Sequence, residues 1–265
     1  MYCSKIAGTG SYVPEGILTN ADLEKLVETS DEWIRTRTGV VERHVCREDE
    51  TTSVLAFEAA LKAMEAARVG PLDLDLILVA TITPDMFFPS TACLLQERLG
   101  ATNAAAFDIL AACSGFIYGL AITDAFLRSG AYRTILLIGA ETLSKIVDWQ
   151  DRNTCVLFGD AAGAAILQKT AGESRILSTH LYSDGSKGSQ LMMPGGGSRY
   201  PISLKTIEQN LHRIKMESGN EVFKLAIRAI EEAAITALKY NGFDVSDVDL
   251  FIAHQANARI IHAAA

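Results

Sequence analysis

Residues 55–76 read LAFEAALKAMEAARVGPLDLDL, and residues 229–250 read AIEEAAITALKYNGFDVSDVDL. Laid over each other without a gap, the two segments are identical at seven of 22 positions, at an offset of 174 residues. Seven identities arise easily between alanine-rich helices, so the shared order of predicted elements carries more weight than the count. Each segment predicts a helix that leads through Asp-x-Asp into an apolar run.

Apolar residues at helical spacing predict the helix in both copies. They are Val54, Phe57, Leu61 and Met64 in the first copy and Phe223, Ile227, Ile230, Ala234 and Leu238 in the second. Gly242 follows the second helix and predicts a left-handed cap that ends it. The apolar runs 76–79 and 250–253 predict central strands buried on both faces.

The first half continues in the same alternation of helix and strand. Helices are predicted at 90–99 and at 114–129, the latter ended by Gly130, and strands at 105–110 and 134–138. This alternation predicts an α/β layered fold, and the periodicity by itself equally allows several doubly wound folds.

Composition excludes several classes of protein. The chain has 265 residues, 49% of them hydrophobic, and a formal net charge of −8, which argues against a nucleic-acid binder because phosphate binding needs a basic surface. No apolar run is long enough to cross a membrane, and the first residues lack a secretory signal, so we expect no membrane and a cytoplasmic location. The five cysteines form no Cys-x-x-Cys pair, and we expect free thiols and no metal.

Cys113 stands between a predicted strand and a predicted amphipathic helix, within Ala-Ala-Cys-Ser-Gly. A helix N-terminus lowers the pKa of a thiol and offers N–H groups to an oxyanion. Small neighbours let an acyl group approach the backbone. The alternative is a cysteine that merely fills a tight turn, and for an isolated cysteine this is the more common case.

His254 follows the second apolar run and precedes Asn257, which is suited to cap the next helix. In α/β sheets, chemistry gathers at the carboxyl ends of strands, where both His254 and Cys113 are predicted to lie. A lone histidine in such a place is usually structural. A cysteine and a histidine at the same edge of two related half-units are typical of a nucleophile with its catalytic partner.

Six separated segments together resemble one family. They are TSDEWI at 29–34, RTG at 37–39, ACSG at 112–115, FGDAAGA at 158–164, GNEVFK at 219–224 and HQAN at 254–257. In this order they resemble the signatures of 3-oxoacyl-(acyl-carrier-protein) synthase III, a family of the thiolase superfamily. The resemblance runs along the whole chain. It implies duplicated α/β halves in an α-β-α-β-α arrangement, with residues 1–170 carrying the nucleophile and 171–265 the histidine.

The resemblance also implies the reaction. A short acyl group, acetyl by expectation, passes from acyl-CoA to Cys113. It then condenses with malonyl-acyl carrier protein (malonyl-ACP), releasing carbon dioxide, while a neutral His254 stabilises the developing enolate. No cofactor is expected, because acyl-CoA is a substrate.

Binding residues are carried over from the family position by position. Trp33 and Arg152 are expected to sandwich the adenine of coenzyme A, a role that suits a flat indole and a flat guanidinium. The other residues expected to contact coenzyme A are Thr29, Arg37, Gly219, Asn220, Phe223, Ala256 and Asn257.

The resemblance further implies partners. Phe88 is expected to reach across a homodimer and close the acyl pocket. Acyl carrier protein is acidic and needs a local basic patch, for which Lys224 and Arg259 are the family positions. Arg213 and Lys215 would extend that patch.

Two readings from other classes stay open, and one expectation concerns length. A non-catalytic acyl-CoA-binding homologue would keep Trp33 and Arg152, and a thiolase-like hydrolase or acyltransferase of secondary metabolism would use a different acceptor. The second copy of the repeat stops shortly after His254, whereas the first continues through further strands and helices. We therefore expect the second half to be incomplete and the chain to be part of a longer polypeptide.

Overall fold

The computed structural model describes residues 3–172 and 175–265. The chain divides into two compact units. Unit 1 comprises Met1–Gly16, His44–Thr142 and Asp160–Leu181, and unit 2 comprises Ile17–Arg43, Leu143–Gly159 and Tyr182–Ala265. Two segments of the predicted first half, 17–43 and 143–159, thus lie in unit 2 with most of the predicted second half.

Strands and helices are interspersed along the chain. The strands are β1 (Cys3–Tyr12), β2 (Gly16–Thr19), β3 (Glu42–Val45), β4 (Leu76–Ala80), β5 (Ala105–Ile109), β6 (Thr134–Thr142), β7 (Asp160–Thr170), β8 (Leu191–Met192) and β9 (Lys215–Met216). The helices are α1 (Asn20–Leu23), α2 (Asp31–Thr38), α3 (Thr52–Ala67), α4 (Thr91–Leu99), α5 (Gly115–Ser129), α6 (Arg152–Cys155), α7 (Leu204–Glu208), α8 (Gly219–Asn241) and α9 (Ala258–Ala264). Short 3-10 helices cover Pro71–Asp73, Ala112–Ser114, Leu143–Lys145, Gly185–Lys187 and Val245–Asp247.

Unit 1 is built on a five-stranded sheet in the order β1-β7-β6-β4-β5. The strands β4, β5 and β6 are parallel, while β7 is antiparallel to both β6 and β1. In this register Ala80 lies opposite Ile109 on one side and Gly139 on the other. The carboxyl ends of β4 and β5 therefore lie level at one edge of the sheet, and β6 continues beyond them to Thr142.

The central strand β4 is buried over all five residues, as predicted for an apolar run with protein on both faces. Ile77 and Val79 pack into a core with α3 and α4, whereas Leu76 and Leu78 pack into a second core with Leu127 of α5. The alternation along one strand thus fills two cores. Unit 1 is layered, with helices on both faces of its sheet, as the sequence predicted.

Helix α3 packs closely against the sheet through small residues. A Cβ atom on Gly8 would lie 2.5 Å from the Ala67 nitrogen, and one on Gly10 would lie 2.3 Å from the Ala59 oxygen. The predicted apolar face is therefore partly wrong: Met64 is buried, but Leu61 is 42% exposed. The helix instead turns an alanine-rich side inward, formed by Ala56, Ala59, Ala60 and Ala63.

The predicted helix ends are confirmed where glycine supplies a left-handed residue. Gly130 ends α5 with φ 81°, and Gly242 ends α8 with φ 75°. At the start of α4, the Ser90 hydroxyl accepts a hydrogen bond from the Cys93 amide. These local signals need no tertiary information, which is why the sequence was sufficient to locate them.

Unit 2 has a smaller core. It is formed by Leu23, Ile34, Val147, Cys155, Val156 and Ile214. The strand predicted at 250–253 is not present: these residues have no regular secondary structure, and Leu250 and Ile252 are 75% and 77% exposed. A strand needs a hydrogen-bonded neighbour, and none of the residues that the structure describes pairs with this segment.

Within the same described ranges, no helix combines the length and the apolar character needed to span a membrane.

Candidate active site

Cys113 lies in a sharp turn between β5 and α5. It occupies the middle of a short 3-10 helix, and its side chain is exposed at the surface of unit 1. The preceding Ala112 has φ 45°, a left-handed conformation that is strained for any residue with a Cβ atom. Directly after the turn, a Cβ atom on Gly115 would lie 2.9 Å from that of Ala80. The absence of a side chain at Gly115 therefore lets the start of α5 lie against the end of β4.

The pKa of the Cys113 thiol is raised, so the expectation of a lowered value is wrong in direction. Desolvation by the surrounding protein is the largest cause, and the Glu141 carboxylate adds to it, while a backbone hydrogen bond acts in the opposite direction. The N-terminus of α5 also favours the thiolate. The helix start could be located from the sequence, but the desolvation that opposes it could not.

Glu141 is a residue of this site that the sequence analysis missed. It lies near the end of β6, and its Oε1 accepts a hydrogen bond from the Ile82 amide at 2.9 Å. Its Oε2 accepts from the Thr83 hydroxyl at 2.5 Å and from the Thr81 hydroxyl at 3.3 Å. Burial raises the pKa of this carboxyl, and the hydrogen bonds counteract the rise. The available signal was a single acidic residue at the end of an otherwise apolar strand.

His254 lies in unit 2, in the irregular segment that replaces the predicted strand. Desolvation lowers the pKa of its imidazole, so the ring is neutral at pH 7. Three residues later Asn257 accepts a hydrogen bond from the Ile260 amide at 2.9 Å and caps α9, as predicted. His254 is exposed, and its catalytic role stays a prediction.

Trp33 and Arg152 are brought together within unit 2. The guanidinium carbon of Arg152 lies 4.9 Å from the centre of the Trp33 ring, and its Nη1 donates to the Glu28 carbonyl oxygen at 3.0 Å. Next to this pair, the Thr29 hydroxyl is buried and has no hydrogen-bond partner in the described chain. A buried polar atom of this kind is one that a ligand or a water molecule normally satisfies.

A buried arginine holds the helices that carry this pair. Arg43 is 3% exposed, and its guanidinium donates to the Val156 carbonyl oxygen, just after α6, at 2.6 Å. It also donates to the Asn20 side chain, which in turn donates to Asp31 at the start of α2 at 2.7 Å. Arg43 therefore connects the two short helices from which Trp33 and Arg152 project.

The remaining residues expected to contact coenzyme A or the carrier protein also lie in unit 2. The Arg259 guanidinium lies 5.0 Å from the centre of the Phe223 ring. Gly219 and Asn220 are the first residues of α8, and Ala256 and Asn257 lie directly before α9. The Lys224 ammonium forms an exposed ion pair with Glu221 at 3.1 Å.

Arg37 lies on α2, and the end of this helix contacts the start of α9. Arg37 lies near the end of α2, and Gly39 follows that helix with φ 76°. A Cβ atom on Gly39 would lie 2.6 Å from the Ala258 Cβ atom, at the start of α9. The end of α2 therefore lies against the start of α9.

In unit 1, Phe88 lies on the loop between β4 and α4 and is not packed into a core. It is 85% exposed, and its neighbour Phe87 is 79% exposed. The edge strand β5 exposes Phe107 at 36%, and Leu110 beyond it is 77% exposed. Unit 1 therefore exposes apolar side chains both on this loop and along β5.

The chain is similar to known proteins over almost its whole length. Residues 107–185 match the family model described as 3-oxoacyl-[acyl-carrier-protein (ACP)] synthase III. A protein of Caldanaerobacter subterraneus subsp. tengcongensis, named beta-ketoacyl-[acyl-carrier-protein] synthase III, is 58% identical over 99% of this chain and 80% of its own length. A protein of the same name from Xanthomonas campestris pv. campestris is 55% identical over 99% of this chain and 79% of its own.

Solved structures agree with these sequence relatives. The crystal structure of 3-oxoacyl-[acyl-carrier-protein] synthase III from Aquifex aeolicus has a TM-score of 0.90 at 48% identity, over 98% of this chain and 79% of that chain. A structure of the same enzyme from Thermus thermophilus has a TM-score of 0.89 at 45% identity, over 98% and 79% of the two chains.

Proposed function

The chain belongs to the 3-oxoacyl-[acyl-carrier-protein] synthase III family, and we propose that it catalyses the initiating condensation of fatty-acid synthesis. A short acyl group is transferred from acyl-CoA to Cys113 and is then condensed with malonyl-ACP, giving 3-oxoacyl-ACP and carbon dioxide. The observation that carries this proposal is the turn at Cys113, which presents the thiol between the end of a parallel strand and the start of α5.

In the first half-reaction, the Cys113 sulfur attacks the acyl-CoA carbonyl carbon. Negative charge develops on the carbonyl oxygen, and free amide groups at a helix start are suited to stabilise it. The intermediate collapses with loss of the coenzyme A thiolate, which takes up a proton. The acyl group is then held on Cys113 as a thioester.

In the second half-reaction, malonyl-ACP loses carbon dioxide and forms an enolate, whose carbon attacks the acyl carbonyl on Cys113. The carbon–sulfur bond to Cys113 then breaks, which releases 3-oxoacyl-ACP and the Cys113 thiolate, and the thiolate takes up a proton. We propose that His254 donates a hydrogen bond to the malonyl thioester oxygen during decarboxylation. A neutral imidazole is suited to this role, because an imidazolium would transfer its proton to the enolate and quench the carbon nucleophile. The lowered pKa of His254 supports this assignment.

For coenzyme A, we propose that Trp33 and Arg152 bind the adenine, with Thr29 and Arg37 nearby. Support comes from the contact between the first two side chains and from the buried Thr29 hydroxyl that lacks a partner in the described ranges. The pantetheine arm would contact the residues at the starts of α8 and α9, namely Gly219, Asn220, Phe223, Ala256 and Asn257.

Acyl carrier protein would dock on a basic surface that includes Lys224 and Arg259, with Arg213 and Lys215 extending it. The Lys224 side chain is 60% exposed and forms an ion pair with Glu221, whose side chain is also exposed. Such pairs contribute little to stability, so the exchange of Glu221 for a carboxylate of an acidic partner beside Lys224 costs little free energy.

We further propose a homodimer in which Phe88 closes the acyl pocket of the partner. The exposed rings of Phe87 and Phe88 and the apolar surface around β5 support an interface there. The other proposals follow from the sequence: thiolase-like halves at 1–170 and 171–265, a cytoplasmic location, and no cofactor besides the acyl-CoA substrate.

Incubation with radiolabelled acetyl-CoA, followed by malonyl-ACP, tests the proposed function. A labelled 3-oxoacyl product supports it. Label on the protein without condensation would instead favour an acyltransferase with another acceptor. Binding of acetyl-CoA without any covalent label would favour a non-catalytic homologue.

A further inference from the structure

Glu141 lies at the same sheet edge as the nucleophile. The residues Ala80, Ile109 and Gly139 are level across β4, β5 and β6. Glu141 follows Gly139 by two residues on β6, and Cys113 follows Ile109 by four. The Thr81 amide, which follows Ala80, donates to the Ile109 carbonyl oxygen at 3.1 Å and ties the β4 turn to β5.

The hydrogen bonds around Glu141 favour its anionic form and counteract the rise in pKa that burial causes. The Thr81 hydroxyl oxygen accepts from the Thr83 amide at 3.0 Å, and the Thr83 hydroxyl oxygen accepts from the Thr142 amide at 2.9 Å. Each hydroxyl proton is therefore free to point at the Glu141 Oε2, which both hydroxyls contact. Two O–H donors at Oε2 and one N–H donor at Oε1 stabilise the ionised carboxylate, which accepts at both oxygens.

No cation neutralises this anion in the described parts of the chain. The ion pairs there involve other carboxylates. A partly buried charge without an opposite charge nearby is costly to maintain, and its negative field acts on the groups around it. The Cys113 turn is one of these groups, because Gly115 lies against Ala80, the residue before Thr81, whose hydroxyl donates to Glu141. In agreement with this placement, the Glu141 carboxylate raises the pKa of the Cys113 thiol.

We propose that Glu141 is a positioning residue: its partly buried carboxylate disfavours the free Cys113 thiolate and thereby favours the acylated enzyme. The inference rests on the proposed acyl transfer to Cys113. The exchange is R–CO–S–CoA plus Cys113–SH giving R–CO–S–Cys113 plus CoA–SH. One carbon–sulfur bond forms as another breaks, the thiol proton passes to coenzyme A, and nothing is oxidised.

The thioester is neutral, whereas the free thiol ionises at alkaline pH. A nearby anion leaves the thioester unaffected and destabilises the thiolate, so it shifts the exchange towards acyl-enzyme wherever the thiol is ionised. At acid pH both thiols are protonated and the effect vanishes. The proposal therefore predicts a pH-dependent effect, which a purely structural role of Glu141 would not produce.

Other charged groups on the elements around the turn already have partners. Asp108 on β5 accepts hydrogen bonds from the Thr91 and Ala92 amides at the start of α4. On α5, Asp124 pairs with Arg128 at 2.7 Å. These groups are unchanged in Glu141 variants, so a change in thiol behaviour reports on Glu141 itself.

The test measures alkylation of Cys113 by iodoacetamide as a function of pH, read by peptide mass spectrometry. In Glu141→Gln, which keeps the shape and removes the charge, the profile is expected to move to lower pH. Glu141→Asp retains the charge and is expected to stay near the parent profile. Glu65→Gln, on the exposed side of α3, is the matched control and should not move it.

A second readout is the equilibrium between labelled acetyl-CoA and acetyl-enzyme. Glu141→Gln is expected to lower the acetyl-enzyme fraction at alkaline pH and to leave it unchanged at acid pH. Should Glu141→Gln not fold, the pair Glu141→Asp and Glu141→Asn supplies the same comparison. An unmoved alkylation profile in the neutral variant overturns the inference. Absence of acetylation in the parent protein would overturn the proposed function instead. The two failures are distinguishable, because iodoacetamide alkylates Cys113 whether or not acetyl-CoA does.

Discussion

The guanidinium of Arg152 rests on the ring of Trp33, with 4.9 Å between its central carbon and the ring centre. An adenine between two flat groups needs two stacking distances, about 7 Å in total, because carbon atoms contact at about 3.5 Å each. The contact between the two side chains leaves too little space for a base. In the proposed site, adenine therefore fits between them only when one of them moves, and the Arg152 side chain is the longer and more flexible.

We expect Arg152→Ala to weaken binding of acyl-CoA. Loss of one of two stacking faces should raise KM by about 5- to 30-fold, from roughly 1 to 2 kcal/mol of stacking, with a smaller effect on kcat. Steady-state kinetics with acetyl-CoA measure both. Arg199→Ala is the control, since Arg199 makes a similar contact with Tyr200, 5.4 Å from the ring centre, in the same unit. Equal effects of the two substitutions would contradict the assignment.

A spectroscopic form of the same prediction does not depend on turnover. The chain has two tryptophans, so Trp149→Phe leaves Trp33 as the only indole. In that background, coenzyme A should change the fluorescence of Trp33, and Arg152→Ala should change it in the absence of ligand. A signal that is indifferent to coenzyme A would show that the base binds elsewhere.

Cys113 should be the only cysteine that acetyl-CoA acylates. Cys155 is fully buried, and burial raises its pKa to about 11, so its thiol is both inaccessible and protonated at neutral pH. Peptide mass spectrometry after treatment with acetyl-CoA locates the acetyl group. Cys113→Ala should remove all of it, and residual label on that variant would refute the assignment.

Phe88→Thr should admit longer acyl-CoA primers. A phenyl ring that closes a pocket excludes extra methylene groups through overpacking of about 1 to 3 kcal/mol. Competition between acetyl-CoA and hexanoyl-CoA for labelling of Cys113 measures the preference. Phe87→Thr is the matched control, because Phe87 is almost as exposed. If Phe87→Thr changes the preferred acyl-CoA chain length while Phe88→Thr does not, then Phe87 closes the acyl pocket and Phe88 does not.

His254→Ala should separate the two half-reactions. Acetylation of Cys113 should persist, whereas decarboxylative condensation should fall by about 100- to 1000-fold, as for loss of one donor to a developing oxyanion. In the parent protein, condensation should decline as the pH falls and the imidazole becomes protonated. Because the pKa of His254 is lowered, the midpoint should lie below the ordinary value of about 6.5. A decline centred above that value would contradict the role of a neutral imidazole.

Gly10→Ala should destabilise unit 1 by about 2 to 3 kcal/mol or more, since the added methyl group meets the main chain of α3. Backbone atoms cannot move aside as a flexible side chain can. Gly163→Ala on β7 is the control, because a Cβ atom there meets nothing within 4 Å. Chemical denaturation of both variants measures the difference, and equal stability would show that α3 can shift on the sheet.

The sequence was informative where local or periodic signals decide the structure. The buried run at Leu76, the helix ends at Gly130 and Gly242, and the Asn257 cap were all predicted, because each depends on residues close in the chain. The residues 250–253 look like a strand, but strand formation depends on a neighbour that periodicity does not reveal.

The candidate site was less predictable for a similar reason. The order of motifs located Cys113, His254 and Trp33. The raised pKa of Cys113 depends on desolvation by the surrounding protein and on Glu141, which is 28 residues later in the chain and reaches the site through strand order. Which face of α3 packs on the sheet depends on Gly8 and Gly10 in β1, which admit only small residues. The positions of the larger apolar residues therefore did not predict that face.

The position of β4 between β5 and β6 has a consequence for synthesis on the ribosome. Its neighbours both follow it in the chain, and β6 ends at Thr142, 62 residues after Ala80 (142 minus 80). At about 5 to 20 residues per second, roughly 3 to 12 s pass before both edges of β4 can be paired. During that interval a wholly apolar strand has been synthesised without either of its neighbours, so β4 is open to incorrect pairing until both have followed.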